Sequence, residues 1–238
     1  MKTPEDIRVN YELKLEHTYR VKDNILELGR SLNLDKKSLM LCELIGLYHD
    51  LGRFKQYSEY GTFSDAITGS HGELSIQVLM EQDVLRSLEK SEREVILKAI
   101  KYHNYFLVPG DETEEIKLYS RLIRDADKLD AFFLETKQDE RRKYNLGNLS
   151  LEKNYSQEII NDILNNRQVD FKKIKYQYDR KLSLLGLIFD LFYDESFKIF
   201  ESNNYIYKIF KDIPDNTQLK EIKDHCENYI KDRIKLVK

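Results

Sequence analysis

Residues 36–50 constrain the fold more strongly than any other stretch of the sequence. Asp35 is a suitable helix cap, and the apolar residues that follow it lie on nearly every face of the predicted helix. They are Leu39, Leu41, Cys42, Leu44, Ile45 and Leu47. Because a helix that is apolar nearly all round belongs in the interior, we predict a central helix that other elements cover. It ends at His49-Asp50, just before Gly52.

The rest of the sequence also has helical periodicity, with neither a strand pattern nor a repeat, and it contains few glycines and prolines. The predicted helices are residues 3–30, residues 36–50, a helix opening at Ser70, a helix opening at Ser91, residues 113–137, a helix opening at Ser150 or Ser156 and ending near Asn166, and residues 217–237. Residues 52–70, which contain Gly61 and Gly69, are predicted to be a long loop of the kind that often carries function. The expected fold class is all-α.

The chain length of 238 residues suits one compact domain. Within it we predict a helical core over residues 1–138 and a C-terminal helical region over residues 139–238 that packs on this core. Aromatic residues are dense between Tyr178 and Phe210. We interpret them as core or as a dimer contact, which leaves a homodimer open.

Composition excludes several classes of protein. The net charge is −3 with both signs interspersed, which gives no strong signal for nucleic-acid or membrane-surface binding. The N-terminus lacks an apolar signal region, and the longest apolar stretch, Leu182–Tyr193, is shorter than the roughly 20 residues of a membrane span. Cys42 and Cys226 are the two cysteines, and a chain of this size does not need a disulfide. We therefore expect a cytoplasmic protein.

The candidate functional residues are histidines and aspartates. Four of the five histidines lie at the apolar edges of separate predicted helices, and they are His17, His49, His71 and His103. On the predicted helix 113–137, Asp125, Asp127 and Asp130 compete for a role beside them. Asp130 falls inside the apolar face, and Asp127 lies on the edge nearest to it. A carboxylate on such a face must be paired or bound to a metal.

The ligand types restrict the metal. Neutral imidazoles and carboxylates without a thiolate favour Mn, Fe, Co, Ni or Zn in octahedral geometry, rather than a structural tetrahedral zinc.

The order of these residues resembles the HD superfamily of metal-dependent phosphohydrolases over roughly residues 10–135. The resemblance is carried by His17, His49-Asp50-Leu51-Gly52-Arg53-Phe54, His71, His103 and Ala126-Asp127-Lys128-Leu129. It implies an HD-domain-like helical bundle with a C-terminal helical extension. It also favours Asp127 over Asp125 as the late aspartate, with Asp130 as a hydrogen-bond acceptor behind it.

The resemblance further implies the distribution of ligands. The first ion would be held by His17, His49, Asp50 and Asp127. His71 and His103 resemble the two-metal branch, in which Asp50 would bridge the ions and these histidines would bind the second. The paired histidines of that branch are His103-Asn104 here, and no Gly-Tyr-Pro segment occurs, which argues against the cyclic-di-GMP subclass.

The function that follows from the resemblance is hydrolysis of a small phosphate ester, such as a nucleotide, by metal-activated water. Asp50, Arg53 and Lys128 are the expected catalytic residues, and Arg53, Asn104 and Lys128 are expected to bind the substrate. Two alternatives stay open. One is a di-iron oxygenase that uses O₂ on a small polyol or phosphonate, and the other is a non-catalytic helical binding module.

Overall fold

The computed structural model describes residues 4–137 and 152–235, and all regular elements in these two ranges are helical, as predicted. The α-helices are α1 (Pro4–Ser31), α2 (Lys36–Tyr48), α3 (Leu51–Tyr60), α4 (Asp65–Thr68), α5 (His71–Glu81), α6 (Lys90–Tyr102), α7 (Glu114–Thr136), α8 (Gln157–Leu164), α9 (Gln177–Ser183), α10 (Asp194–Ser202), α11 (Tyr205–Phe210) and α12 (Thr217–Lys235). Two 3-10 helices, Phe171–Lys173 and Leu184–Asp190, flank α9.

The chain forms two compact units, Met1–Asp127 and Lys128–Lys238. The division falls within α7, and the predicted boundary at residue 138 stays a prediction. No helix in the described ranges is both long and apolar enough to cross a membrane. Cys42 and Cys226 are free thiols, each buried in the interior.

The packing of α1 on α2 forms the centre of the first unit. Val21, Ile25 and Leu28 of α1 are fully buried, and α2 contributes its own buried face. A Cβ atom at Gly46 would lie 2.7 Å from the Cα atom of Lys22, so glycine allows the two helices to approach closely. The prediction of burial all round α2 is wrong on one side, because Met40 is 37% exposed.

The predicted loop over residues 52–70 is also wrong, because α3 and α4 occupy most of it. Gly52 does not interrupt helical structure. It lies in the first turn of α3, where a Cβ atom would come within 2.5 Å of the Ser75 backbone nitrogen, so this glycine lets α3 pack against α5. The helix ends instead at Gly61, whose φ of 64° is the left-handed conformation that favours glycine.

The predicted helix starts agree with the structure to within a few residues. The Asp35 carboxylate accepts a hydrogen bond from the Ser38 backbone at 2.8 Å, as a cap of α2. Helix α6 begins slightly before the predicted Ser91, because the Glu89 backbone N–H donates to the Glu92 carboxylate at 2.7 Å. Helix α8 follows Ser156, whereas the other predicted start, Ser150, and the predicted last residue, Val237, lie outside the described residues.

Aromatic side chains form much of the core of the second unit. The rings of Phe132 and Phe200 meet edge to face with centroids 4.6 Å apart, and Tyr205 stacks on Phe132 at 5.8 Å. Phe197 is fully buried as well. The aromatic-rich segment therefore contributes directly to the packing of this unit.

A buried carboxylate joins the starts of two helices in the second unit. Asp179 is fully buried and accepts hydrogen bonds from the Ser156 backbone at 2.6 Å and from the Ser156 hydroxyl at 2.7 Å. It also accepts from the backbone N–H groups of Lys175 at 2.9 Å and Tyr176 at 3.0 Å. One side chain thus satisfies donors that precede both α8 and α9.

We predict that Asp179→Ala lowers the free energy of unfolding by about 3 kcal/mol, because several buried donors lose a charged acceptor. Urea denaturation followed by circular dichroism measures the effect. Asp170→Ala is the matched control, since the exposed Asp170 accepts one backbone hydrogen bond from Lys172 at 2.9 Å. It should cost less than about 1 kcal/mol. Equal losses in the two variants would contradict this role of Asp179.

Candidate metal centre

Five elements of the first unit bring the predicted ligands together. His17 lies in the middle of α1, His49 and Asp50 follow α2, and His71 begins α5. The two others are His103, which follows α6, and Asp127, which lies in α7. The four histidines and Asp50 are buried, with at most 6% of each residue exposed. The Asp127 side chain is 37% exposed and so lies at the open side of the cluster.

The potential ligand atoms form two groups. In the first group, His17 Nε2 lies 3.3 Å from His49 Nε2 and 3.3 Å from Asp127 Oδ1. In the second group, Nε2 of His71 lies 2.9 Å from Nε2 of His103. Asp50 is the third member of this group. Within each group all ligand atoms lie within 4.8 Å of one another, so each group can hold one metal ion.

Asp50 faces both groups, one carboxylate oxygen to each. Its Oδ2 atom lies 3.3 Å from His17 Nε2 and 3.8 Å from His49 Nε2. Its Oδ1 atom lies 3.4 Å from His71 Nε2 and 3.8 Å from His103 Nε2. Among the described residues Oδ1 has no hydrogen-bond donor although it is buried. A buried carboxylate oxygen of this kind is available to bind a cation, and the residues therefore fit a pair of metal ions.

Hydrogen bonds at Nδ1 fix the orientation of the His49 and His103 rings. His49 Nδ1 lies 2.8 Å from the Gly46 carbonyl oxygen, and His103 Nδ1 lies 2.6 Å from that of Ile100. Because a carbonyl can only accept, each Nδ1 carries the proton and donates it, and each Nε2 lone pair faces the centre. Metal-binding histidines are commonly oriented in this way.

The electrostatic environment also favours unprotonated ligand atoms on these side chains. Burial lowers the pKa of His49, and it lowers the pKa of His103 to about 3. Burial also raises the pKa of the Asp50 carboxyl, but Lys14 and the surrounding histidines outweigh this effect and hold that pKa well below its usual range. For Asp127 too, burial raises the pKa of the carboxyl and the surrounding histidines lower it, and the net result is a lowered pKa. The two carboxylates thus lie beside neutral imidazoles at His49 and His103.

Two residues of the centre were missed by the sequence analysis. Lys14 lies one helical turn before His17, and its Nζ atom is 2.5 Å from Asp50 Oδ2. That spacing of three residues from His17 was the available signal. Asp65 begins α4, within the segment predicted as loop, and its Oδ2 atom is 2.5 Å from His71 Nδ1. No periodicity in the sequence pointed to Asp65.

Arg53 lies in the centre and is bound to the segment around Asp65. Its Nη1 group donates to the Phe63 carbonyl at 2.6 Å and to Asp65 Oδ1 at 2.7 Å. Its Nε atom lies 3.7 Å from Asp50 Oδ1 and has no hydrogen-bond partner among the residues described. Arg53 therefore positions Asp65 with one end of the guanidinium and faces the second ligand group with the other.

Asn104 and Lys128 are the other predicted substrate-binding residues. The Asn104 side-chain nitrogen is 3.1 Å from Ser70 Oγ and 3.2 Å from His71 Nδ1, on the side of that ring opposite to its ligand atom. Lys128 belongs to the second unit, where its Nζ atom is 2.7 Å from Asp190 Oδ2. Binding of substrate by these two residues stays a prediction.

Arg124 fixes the chain that follows His103. Its guanidinium is buried and donates to the backbone carbonyls of Tyr102 at 3.2 Å and of Phe106 at 3.1 Å, and to that of Tyr105. The Tyr102 carbonyl ends α6 and the other two carbonyls follow it, and carbonyls at a helix end lack partners within the helix. A single cation therefore holds the backbone on both sides of His103.

The fold and the site define an all-helical protein with a histidine–aspartate centre suited to two metal ions. Residues 15–131 match the family model described as HD domain, and this segment contains all six candidate ligands. Residues 15–131 are therefore an HD domain, and HD domains form a superfamily of metal-dependent hydrolases whose members bind divalent metals. No match was found among curated proteins or among solved structures.

We predict that Asp127→Asn weakens binding of the ion in the first group, because one of its charged ligands is lost. Asp125→Asn should retain the metal and lower stability, since Asp125 is a fully buried neighbour on the same helix. Metal analysis after dialysis, together with thermal unfolding, separates the two effects. The opposite pattern, with metal lost from the Asp125 variant, would mean that the late ligand is Asp125.

Proposed function

We propose that this protein is a metal-dependent phosphohydrolase or phosphodiesterase that acts on a nucleotide or another small phosphate ester. The observation that carries the proposal is the position of Asp50, whose two carboxylate oxygens face two separate histidine groups. Two-metal sites of this kind suit displacement at phosphorus, because both the attacking and the leaving oxygen can be stabilised.

The bound ions would lower the pKa of a coordinated water well below that of bulk water and would neutralise the phosphoryl oxygens. The chain supplies the rest. Asp50 and Asp127 provide negative charge, and the buried histidines present Nε2 lone pairs whose direction is fixed by the hydrogen bonds at Nδ1. Because these groups are ordered before any ligand arrives, little reorganisation is needed when substrate binds.

Arg53 is the residue best placed to contact a reacting oxygen. Its buried Nε–H group faces Asp50 Oδ1 across 3.7 Å. A phosphoryl or water oxygen held beside the second ligand group could accept this hydrogen bond. Hydrogen bonds from Arg53 Nη1 to Phe63, Asp65 and Gln56 keep its guanidinium in place.

A panel of metals and phosphate esters tests the proposal. The purified protein is stripped with a chelator, reloaded with Mn, Fe, Co, Ni or Zn, and assayed on nucleoside monophosphates, triphosphates and phosphodiesters. We expect turnover that requires metal and that proceeds equally in air and without O₂. Turnover that appears only with iron and O₂, on a polyol or phosphonate, would instead establish the oxygenase alternative.

Substitutions of the ligands complete this test. His49→Ala and Asp50→Ala should lose metal and turnover but retain helical circular dichroism, whereas His71→Ala and His103→Ala should keep about one ion per chain and lose most turnover. His225→Ala is the matched control, because His225 lies in α12 and contacts Asn166. Normal metal content and turnover in Asp50→Ala would overturn the proposal.

A further inference from the structure

Lys14 is a cation placed directly on the carboxylate that faces both ligand groups. Its Nζ atom lies 2.5 Å from Asp50 Oδ2, and 23% of its side chain is exposed. It also lies over the Phe63 ring, 5.9 Å from the centroid. Lys14 therefore has one partner inside the centre, one aromatic partner beside it, and access to solvent.

The charge of the centre changes sign when ions bind. In the structure, Lys14 offsets the negative charge of Asp50, next to neutral imidazoles. Two divalent ions bring more positive charge than Asp50 and Asp127 can neutralise, and the ammonium group of Lys14 would then stand beside like charges. Its long flexible side chain lets this group leave Asp50 while the backbone of α1 stays in place.

We propose that Lys14 occupies Asp50 in the metal-free protein and, once ions are bound, turns to the open side of the centre to hold the phosphate of the substrate. The ammonium group binds phosphate as a compact point charge and needs no fixed geometry. Ion binding thus frees a phosphate-binding residue at the moment when the centre becomes competent.

The proposal rests on the proposed function and narrows its substrate class. A centre with excess positive charge and a released ammonium group favours the ligand with the greater negative charge. A terminal phosphate monoester carries a charge of about −1.5 to −2 near neutral pH, whereas a diester carries a single negative charge. We therefore infer that the substrate is a phosphate monoester, and that Lys14 contributes to its selection over a diester.

Lys14→Met tests both parts, because methionine keeps the unbranched apolar stem and removes the charge. Isothermal titration with Mn²⁺ alone should show binding about tenfold tighter than in the unaltered protein, since a competing cation has gone. Inorganic phosphate should bind to the Mn²⁺-loaded variant about tenfold more weakly. With p-nitrophenyl phosphate and bis(p-nitrophenyl) phosphate, kcat/KM should fall more for the monoester than for the diester.

Two further variants serve as controls. Lys14→Arg keeps the charge and should keep most of the phosphate affinity. Lys22→Met removes a lysine of the same helix whose Nζ atom lies 2.7 Å from Asp23 and whose side chain is 21% exposed, and it should change neither titration. Unchanged or weaker Mn²⁺ binding in Lys14→Met would refute the competition with metal, and unchanged phosphate binding would refute the phosphate contact.

These outcomes are separable from failure of the proposed function. If the unaltered protein hydrolyses neither these two esters nor any nucleotide or phosphodiester of the substrate panel, the hydrolase proposal fails, and the Mn²⁺ and phosphate titrations still decide the role of Lys14. If both esters are hydrolysed but the variant loses them equally, Lys14 does not select the monoester.

Discussion

The burial of the Asp50 carboxylate among four imidazoles is the constraint that the packing of the first unit has to satisfy. An ionised group in the interior is costly unless opposite charge or hydrogen bonds compensate it. Asp50 is only 3% exposed, and the side chains that face it come from separate helices. The helices must therefore pack closely enough to bring these groups within a few ångströms of one another, so the core and the site are built by the same contacts.

Glycines at two helix contacts make this closeness possible. Gly46 lets α2 lie against the backbone of α1, which brings His49 to His17. Gly52 lets α3 lie against the first turn of α5, where its backbone N–H donates to Ser75 Oγ at 2.8 Å, beside His71. A larger residue at either position would separate the helices and so enlarge the distances between ligand atoms. An ion that binds only the folded arrangement would also stabilise this packing by mass action.

The sequence was sufficient for most of the long helices and for selecting histidines and aspartates that the fold brings together, because both depend on periodicity and on residue type. That these residues bind metal stays a prediction. The sequence was insufficient where tertiary packing determines the local structure or the position of a side chain. A glycine such as Gly52 can end a helix or allow two helices to approach closely, and the sequence does not distinguish these roles. The segment predicted as a loop after it is therefore helix α3. Asp65 and Lys14 are ordinary charged residues in the sequence, and their positions beside His71 and Asp50 depend on how α4 and α1 pack. Arg53 and Asn104 are near the centre, yet much of their hydrogen bonding serves the protein itself.

The central claim is that Asp50 lies between two metal positions. Crystals of the unaltered protein grown with Mn²⁺ test it most directly, through the anomalous scattering of manganese. The account predicts two peaks, one beside Asp50 Oδ2 among His17, His49 and Asp127, and one beside Asp50 Oδ1 between His71 and His103. A single peak at saturating Mn²⁺, or two peaks that Asp50 does not join, would contradict it.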